Sequence, residues 1–330
     1  MTEFVTTGTD LLLWLQGLGD WLIPIMQFFT FLGTEEFYLL IMPFMFWCVD
    51  VVLGVRLGVM LGLSGGLNSI LKMGMGGPRP YWVNSNIPLL TSGETSFGIP
   101  SGHAMNAVTL WGVLGAHLRR RWAWIAVLAV MLGIGFSRPF LGVHFPADVL
   151  AGWLAGIVLL ILFIRLEKPI LQWLQPMTLS KQIGVLFVFS LSIILLGWLV
   201  RAVAEVPLPQ AWFDNAAAQA PDEIINPYTM STVITSAGIL FGVATGFAWL
   251  IRNGGFHAGG AWSKRIVRYI LGMVIVVAIW AGLDAVFGLI AADETLLGGM
   301  LRFIRYALIG LWAGGIAPKL FRKWNLAEGS

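Results

Sequence analysis

"FGIPSGHAMNAVTLWGVLGAHLRRR", residues 97–121, joins three signals in one short run. A Pro-Ser-Gly-His turn, Pro100 to His103, opens an apolar stretch, and three arginines, Arg119 to Arg121, close it. An apolar run with charge only at its ends reads as a membrane-crossing helix. Its arginine-rich end marks the cytoplasmic side, because Lys and Arg accumulate in cytoplasmic loops. The turn then lies on the opposite face.

The whole chain agrees with that reading. Of its 330 residues 58% are hydrophobic and 11% charged, against about 25% charged in soluble domains. Sixteen Trp and twenty-one Phe suit interfacial belts and lipid-facing surfaces. The chain therefore reads as an all-α, polytopic membrane protein. A net charge of +3 is too small to point to nucleic acid, and the only cysteine, Cys48, excludes an intrachain disulfide and a cysteine-based metal site. It is expected to pack in an apolar run. The N-terminus has no basic region of the kind that opens a cleavable signal peptide.

Ten apolar stretches are expected to cross: 11–32, 36–54, 57–75, 101–118, 122–138, 147–165, 182–200, 228–251, 269–290 and 297–317. The first carries Asp20 and Pro24 mid-run, so it either spans or lies in the interface as an amphipathic or re-entrant helix. With the remaining segments crossing alternately, the cytoplasmic side gathers Arg56, Arg119–Arg121, Lys264, Arg265, Arg268 and the C-terminal cations. The other face holds Lys72, Arg79, Arg138, Arg201, Arg302 and Arg305, with acids such as Glu205, Asp214 and Asp293.

Three stretches end on that non-cytoplasmic face: "KMGMGGPRP" (72–80), "PSGH" (100–103) and "SRPFLGVHFPAD" (137–148). They bring Lys72, Arg79, Arg138, His103, His144 and Asp148 toward one pocket. An ionisable group at membrane depth costs about 2.5–3.5 kcal/mol on insertion scales. Any one of the six alone reads equally well as a snorkelling interface residue; six together read as a site. Three cations suit a phosphate dianion and the charge that develops on its oxygens. The helix beginning at Ser101 offers free N–H groups to an anion, Gly102 permits close backbone approach, and the Ser101 hydroxyl adds a donor. His144 and Asp148 are one helical turn apart, so the carboxylate can hold one ring nitrogen and leave the other as a nucleophile. His103 is then the acid and base for the leaving oxygen. Two His and one Asp are a conceivable Zn²⁺ set, but three adjacent cations argue against it, and no carboxylate cluster suits Mg²⁺ or Ca²⁺.

At these residues the sequence resembles the type 2 phosphatidic acid phosphatase (PAP2) superfamily. Its signature, K-x6-R-P, P-S-G-H and S-R-x5-H-x3-D, is filled by Lys72 with Arg79-Pro80, by Pro100–His103, and by Ser137-Arg138 with His144 and Asp148. The resemblance covers about half of the chain, residues 11–166. It implies a catalytic core, and the spans, divided at "RLEKP" (165–169), place six helices in that core within residues 1–168 and about four additional transmembrane helices of unknown role in residues 169–330. It implies metal- and cofactor-independent hydrolysis of a lipid phosphate monoester or diphosphate, through a phosphohistidine, at the non-cytoplasmic face. His144 would be the nucleophile, Asp148 its orienting partner and His103 the acid/base, while Lys72, Arg79, Ser101, Gly102 and Arg138 bind the phosphate. A weaker likeness, in "LGTEEFYLLIMPFMFW" and "HAMNAV", is to the sphingosine-1-phosphate phosphatase branch. A sphingosine-1-phosphate-like or phosphatidic-acid-like substrate is therefore expected, with undecaprenyl-diphosphate and phosphatidylglycerophosphate phosphatases as alternatives. Transfer to an acceptor hydroxyl, and lipid-phosphate binding or translocation without chemistry, stay open. The sequence sets no oligomeric state.

Two further expectations concern acids. Asp284 is expected to pair with Arg302 or Arg305 and fix helix packing, with a head-group contact as the alternative. Glu94, in "LLTSGETSFGIP" (89–100), reads as a simple loop acid, or otherwise as a gate or charge filter.

Overall fold

The computed structural model describes residues 2–328, with side chains from residue 8 onward. Fifteen α-helices follow in order: α1 (Thr2–Gln16), α2 (Ile23–Phe31), α3 (Glu35–Phe44), α4 (Val51–Met75), α5 (Pro80–Val83), α6 (Gly102–Asn106), α7 (Gly112–Leu118), α8 (Arg121–Phe140), α9 (Pro146–Leu174), α10 (Leu179–Ala204), α11 (Gln210–Gln219), α12 (Ser231–Arg252), α13 (Trp262–Gly288), α14 (Leu296–Leu311) and α15 (Ala317–Lys323). Among the described residues there is no strand, only an isolated bridge between His257 and Glu328. In a hydrocarbon medium that is the expected outcome, since a helix satisfies its backbone polar groups internally.

Among the described residues, seven helices are long and apolar enough to cross a membrane. They coincide with seven of the ten expected stretches, and the other three differ for local reasons. Segment 11–32 is two helices bent by 87° at a break where Gly19 takes φ 118°, a left-handed conformation that favours glycine. Segment 36–54 stops at Asp50, whose backbone is extended. The Asp50 Oδ1 accepts from Leu53 N at 2.7 Å, an N-cap bond that starts α4 and assigns the end of the expected span to the next helix. Segment 101–118 is one short helical run interrupted by a π-turn at Ala107–Trp111.

The chain folds as two compact units, each built from three segments. One comprises residues 1–37, 67–161 and 198–229; the other comprises 38–66, 162–197 and 230–330.

In the second unit α12 and α14 meet at glycines. A Cβ at Gly242 would lie 2.2 Å from the Ala307 carbonyl oxygen, and one at Gly238 2.8 Å from that of Phe303. Gly238, Gly242 and Gly246 recur every fourth residue, so α12 presents a bare stripe. Small residues at that spacing let membrane helices touch backbone to backbone. Asp284 pairs with Arg305 as expected, while Arg302 pairs with Asp293 instead. Cys48 is buried in this unit's core, where its thiol donates to the Arg265 carbonyl.

The first unit uses the same device to build its site. Asp148, Gly152 and Gly156 form a stripe on α9. A Cβ at Gly152 would lie 2.5 Å from Ser101 O, and one at Gly156 2.8 Å from Val108 Cβ. The close approach lets Ser101 N donate to Asp148 O at 2.9 Å, joining the start of α6 to the first turn of α9. Beside them, α2 packs on α8.

Candidate active site

All eight residues singled out for a site lie in the first unit, between residues 67 and 161. Lys72 ends α4, Arg79 precedes α5, Arg138 lies in the last turn of α8, and Asp148 in the first turn of α9. Burying three cations requires partners, and each has them. Lys72 Nζ donates to Ser96 Oγ at 2.8 Å. The fully buried Arg79 donates to the carbonyls of Ser96, Phe97 and Val143. Arg138 donates to the Thr30 hydroxyl on α2.

His144 is buried, with its two ring nitrogens in different surroundings. Nδ1 lies 3.3 Å from Asp148 Oδ2, and Nε2 lies 3.3 Å from Arg79 Nη1. A guanidinium only donates, so Nε2 is the acceptor and the proton sits on Nδ1, facing the carboxylate. Asp148 is held in turn: its Oδ2 also accepts from Phe145 N at 2.9 Å. The lone pair of Nε2 therefore faces the cation cluster. Burial, then the charge of Arg79, holds the His144 imidazole well below its ordinary value, so the ring is neutral near pH 7.

Ser101 is the N-cap of α6: its Oγ accepts from Ala104 N at 3.4 Å. That bond uses a lone pair and leaves the O–H as a donor. Gly102 packs where a Cβ would lie 3.0 Å from Asn68 Oδ1, and Asn68 Nδ2 donates to Pro100 O, fixing the turn. His103 follows on the first turn, its ring beside Gly33. The charges of Arg138, Glu94, Lys72 and Arg79 all act on it, and no hydrogen bond to its ring is found among the described residues.

Glu94 departs from the loop acid expected of it. Its Oε2 accepts from Arg79 Nη2 at 2.5 Å, and its Oε1 accepts from Arg138 Nη2. Burial raises its carboxyl, but the charges of Arg79, Arg138, His144 and Lys72 outweigh that and hold it well below the usual carboxylate range. The backbone around it is pinned by Tyr81, whose hydroxyl donates to Glu94 O at 2.9 Å and accepts from Glu94 N at 2.8 Å. The loop is also braced by the segment after α10, which the sequence left without a role. Asn226 N donates to Thr95 O at 3.0 Å, Tyr228 meets Phe97 edge-on at 5.1 Å between centroids, and Asn215 and Gln219 of α11 donate to Trp82 O and Ser85 O.

Among the described residues no group of three or more His, Cys, Asp or Glu side chains has the arrangement of a metal site.

Residues 53–170 match the PAP2 superfamily, and residues 234–329 match the PAP2 superfamily phosphatase transmembrane extension. Phosphatidylglycerophosphatase B of Bacillus subtilis is 32% identical over 170 residues, 47% of this chain and 80% of that protein. The chain belongs to the PAP2 superfamily. Glucose-6-phosphatase 2 of Homo sapiens is 29% identical over 55% of this chain and 58% of its own length. Undecaprenyl-diphosphatase of Sulfolobus acidocaldarius is 30% identical over 35% of this chain and 56% of its own length. The chain thus spans four-fifths of the first relative and under three-fifths of the other two. With seven apolar helices of membrane-crossing length among the described residues and relatives of this kind, it is an integral-membrane PAP2 phosphatase.

Proposed function

We propose that this PAP2 protein hydrolyses a lipid phosphate monoester at the non-cytoplasmic membrane face, without metal, through a phosphohistidine at His144. The observation that carries the reading is the orientation of His144. Its proton faces Asp148, and its Nε2 lone pair, which accepts from Arg79 Nη1, faces the arginine cluster where a phosphoryl group would take that donor over.

Arg79, Arg138 and Lys72 neutralise the phosphoryl oxygens, with the Ser101 hydroxyl and the Gly102 backbone completing the seat. Nε2 exchanges its bond to Arg79 for one to phosphorus while the ester P–O bond breaks, and His103, which takes up a proton together with the incoming dianion, gives it to the departing lipid oxygen. As positive charge grows on the imidazole, Asp148 stabilises it. In the second half a water loses a proton to His103 and attacks phosphorus. The N–P bond then breaks, phosphate leaves, and His144 is restored.

The lipid class draws on relatives named phosphatidylglycerophosphatase and probable sphingosine-1-phosphate phosphatase, and on the apolar helices that flank the site. Sphingosine-1-phosphate-like and phosphatidic-acid-like monoesters head the candidates; phosphatidylglycerophosphate and undecaprenyl diphosphate follow. The outer orientation rests on the Lys and Arg distribution. We assign the chemistry to a core within residues 1–168, with α11 and the stretch through Tyr228 bracing its loop.

The test is phosphate release from purified protein in detergent with chelator present. Substrates are sphingosine-1-phosphate, phosphatidic acid, phosphatidylglycerophosphate, undecaprenyl diphosphate and glucose 6-phosphate. Release from a lipid monoester, with an acid-labile phosphoenzyme that is lost with His144→Ala, is expected. Release that persists in His144→Ala, or that only glucose 6-phosphate supports, overturns the reading.

A further inference from the structure

Glu94 sits on the two arginines that the proposed reaction needs for the phosphoryl group. Its two carboxylate oxygens are divided between them, Oε2 on Arg79 and Oε1 on Arg138. Two oxygens of one anion bound by two guanidiniums is also how a phosphate would be held. The motif accounts for the cations but not for this acid, and a substrate cannot take the Nη2 groups of both guanidiniums while Glu94 keeps them.

The carboxylate is built to leave without the loop moving. Tyr81 holds the Glu94 backbone at both N–H and C=O, and Asn226 holds Thr95 beside it. The side chain itself is 23% exposed, so it has a route to solvent by rotation about its own bonds. Displacing it is an exchange of anions on a fixed set of cations. An incoming monoanion brings no more charge than the carboxylate it replaces and must also lose its own hydration. A dianion brings a second charge, with Lys72 close by at Ser96 to receive it.

We propose that Glu94 is an internal counter-anion that sets a charge threshold at this site: a phosphate monoester dianion displaces it from Arg79 and Arg138, and a phosphodiester monoanion does not. This deepens the phosphatase reading and rests on it. Its use in a bilayer is discrimination, because the phosphodiester head groups of ordinary anionic phospholipids would otherwise compete for the same guanidiniums. Glu94 is on this view a specificity-determining residue.

The test measures binding at equilibrium, with lipid hydrolysis as a second readout. Full-length protein in detergent is titrated with inorganic phosphate, as the dianion probe, and with dimethyl phosphate, as the diester probe, following thermal stability. Wild type is expected to respond to phosphate and not to dimethyl phosphate. In Glu94→Gln, phosphate should bind at least tenfold more tightly, and dimethyl phosphate should become a ligand and a competitive inhibitor of lipid hydrolysis. Glu94→Ala should behave as Gln does, and Glu94→Asp, which keeps the charge, as wild type. Dimethyl phosphate that remains inert in both Gln and Ala variants, or phosphate binding that weakens in them, overturns the proposal and makes Glu94 a residue that positions the arginines. His144→Ala separates the two readings: it should still bind phosphate while releasing none. Failure of phosphate to bind wild type and His144→Ala alike would remove the seat, and the threshold with it.

Discussion

Replacing Asp148 with Asn tests the division of labour around His144 most directly. The amide keeps the size of the side chain and can still accept from the imidazole Nδ1–H or Phe145 N, so the loss is charge. Oδ2 lies 3.3 Å from Nδ1. At an effective dielectric of about 20, a full imidazolium at that distance gains roughly 5 kcal/mol from the carboxylate. Bonding from the nucleophile is incomplete in the transition state, and with about half of that charge developed about 2.5 kcal/mol remains. At about 1.4 kcal/mol per decade, kcat should fall roughly 100-fold. KM should change by less than about threefold, since no contact to the phosphate seat is lost and the effect is confined to the transition state. Initial rates of phosphate release over a substrate range in detergent give both numbers. A kcat within a few-fold of wild type, or a loss carried by KM, would refute the orienting role and leave Asp148 a structural cap of the turn.

Two other outcomes follow from the packing and the charges. Gly152→Val should cost most of the activity and lower thermal stability, because even its Cβ would lie 2.5 Å from Ser101 O; Gly184→Val, with no neighbour there within 4 Å, should leave both nearly unchanged. Thermal unfolding against pH should show stability falling on acidification in two stages. His144 and Glu94 are both held below their ordinary values in the folded state. The unfolded chain therefore takes up protons first, beginning near pH 6.5 for the imidazole and near 4.3 for the carboxyl. The contribution of each is fully present above those values and is lost as pH falls toward its folded-state value. His144→Ala should shrink the upper stage, to which His103 also contributes, and Glu94→Gln should remove the lower.

The parts legible in sequence are those where one residue carries its own signal. Lys72, Arg79, Arg138, His144 and Asp148 are conspicuous because charge is rare on such an apolar chain, and the structure gathers them into one unit. Glu94 is different. An acid in a Gly- and Ser-rich loop looks solvated, and its meaning depends on a tertiary path that places Tyr81 beneath its backbone and two guanidiniums around its side chain. Thr30 was equally mute, a threonine in an apolar run until α2 packs on α8. Nor did periodicity foresee α11 or the bracing at Asn226, since short polar helices have no hydropathy signature. The three departing spans share one cause. Gly19, Asp50 and the π-turn at Ala107 each interrupt a helix within a stretch whose mean hydropathy is high throughout, and an average over a window does not register a single turn.

The Gly152 and Gly156 stripe has a consequence for how the site is dimensioned. His103 and His144 belong to different stretches of chain, and the spacing between α6 and the start of α9 is set by neither histidine. It is set below them, by two positions where a side chain is missing. One methyl group at either position would act as a shim, prising apart the two halves of the reaction while leaving every reactive atom chemically intact. The tolerance of this catalyst is thus written in residues that would pass unnoticed in any inventory of its functional groups.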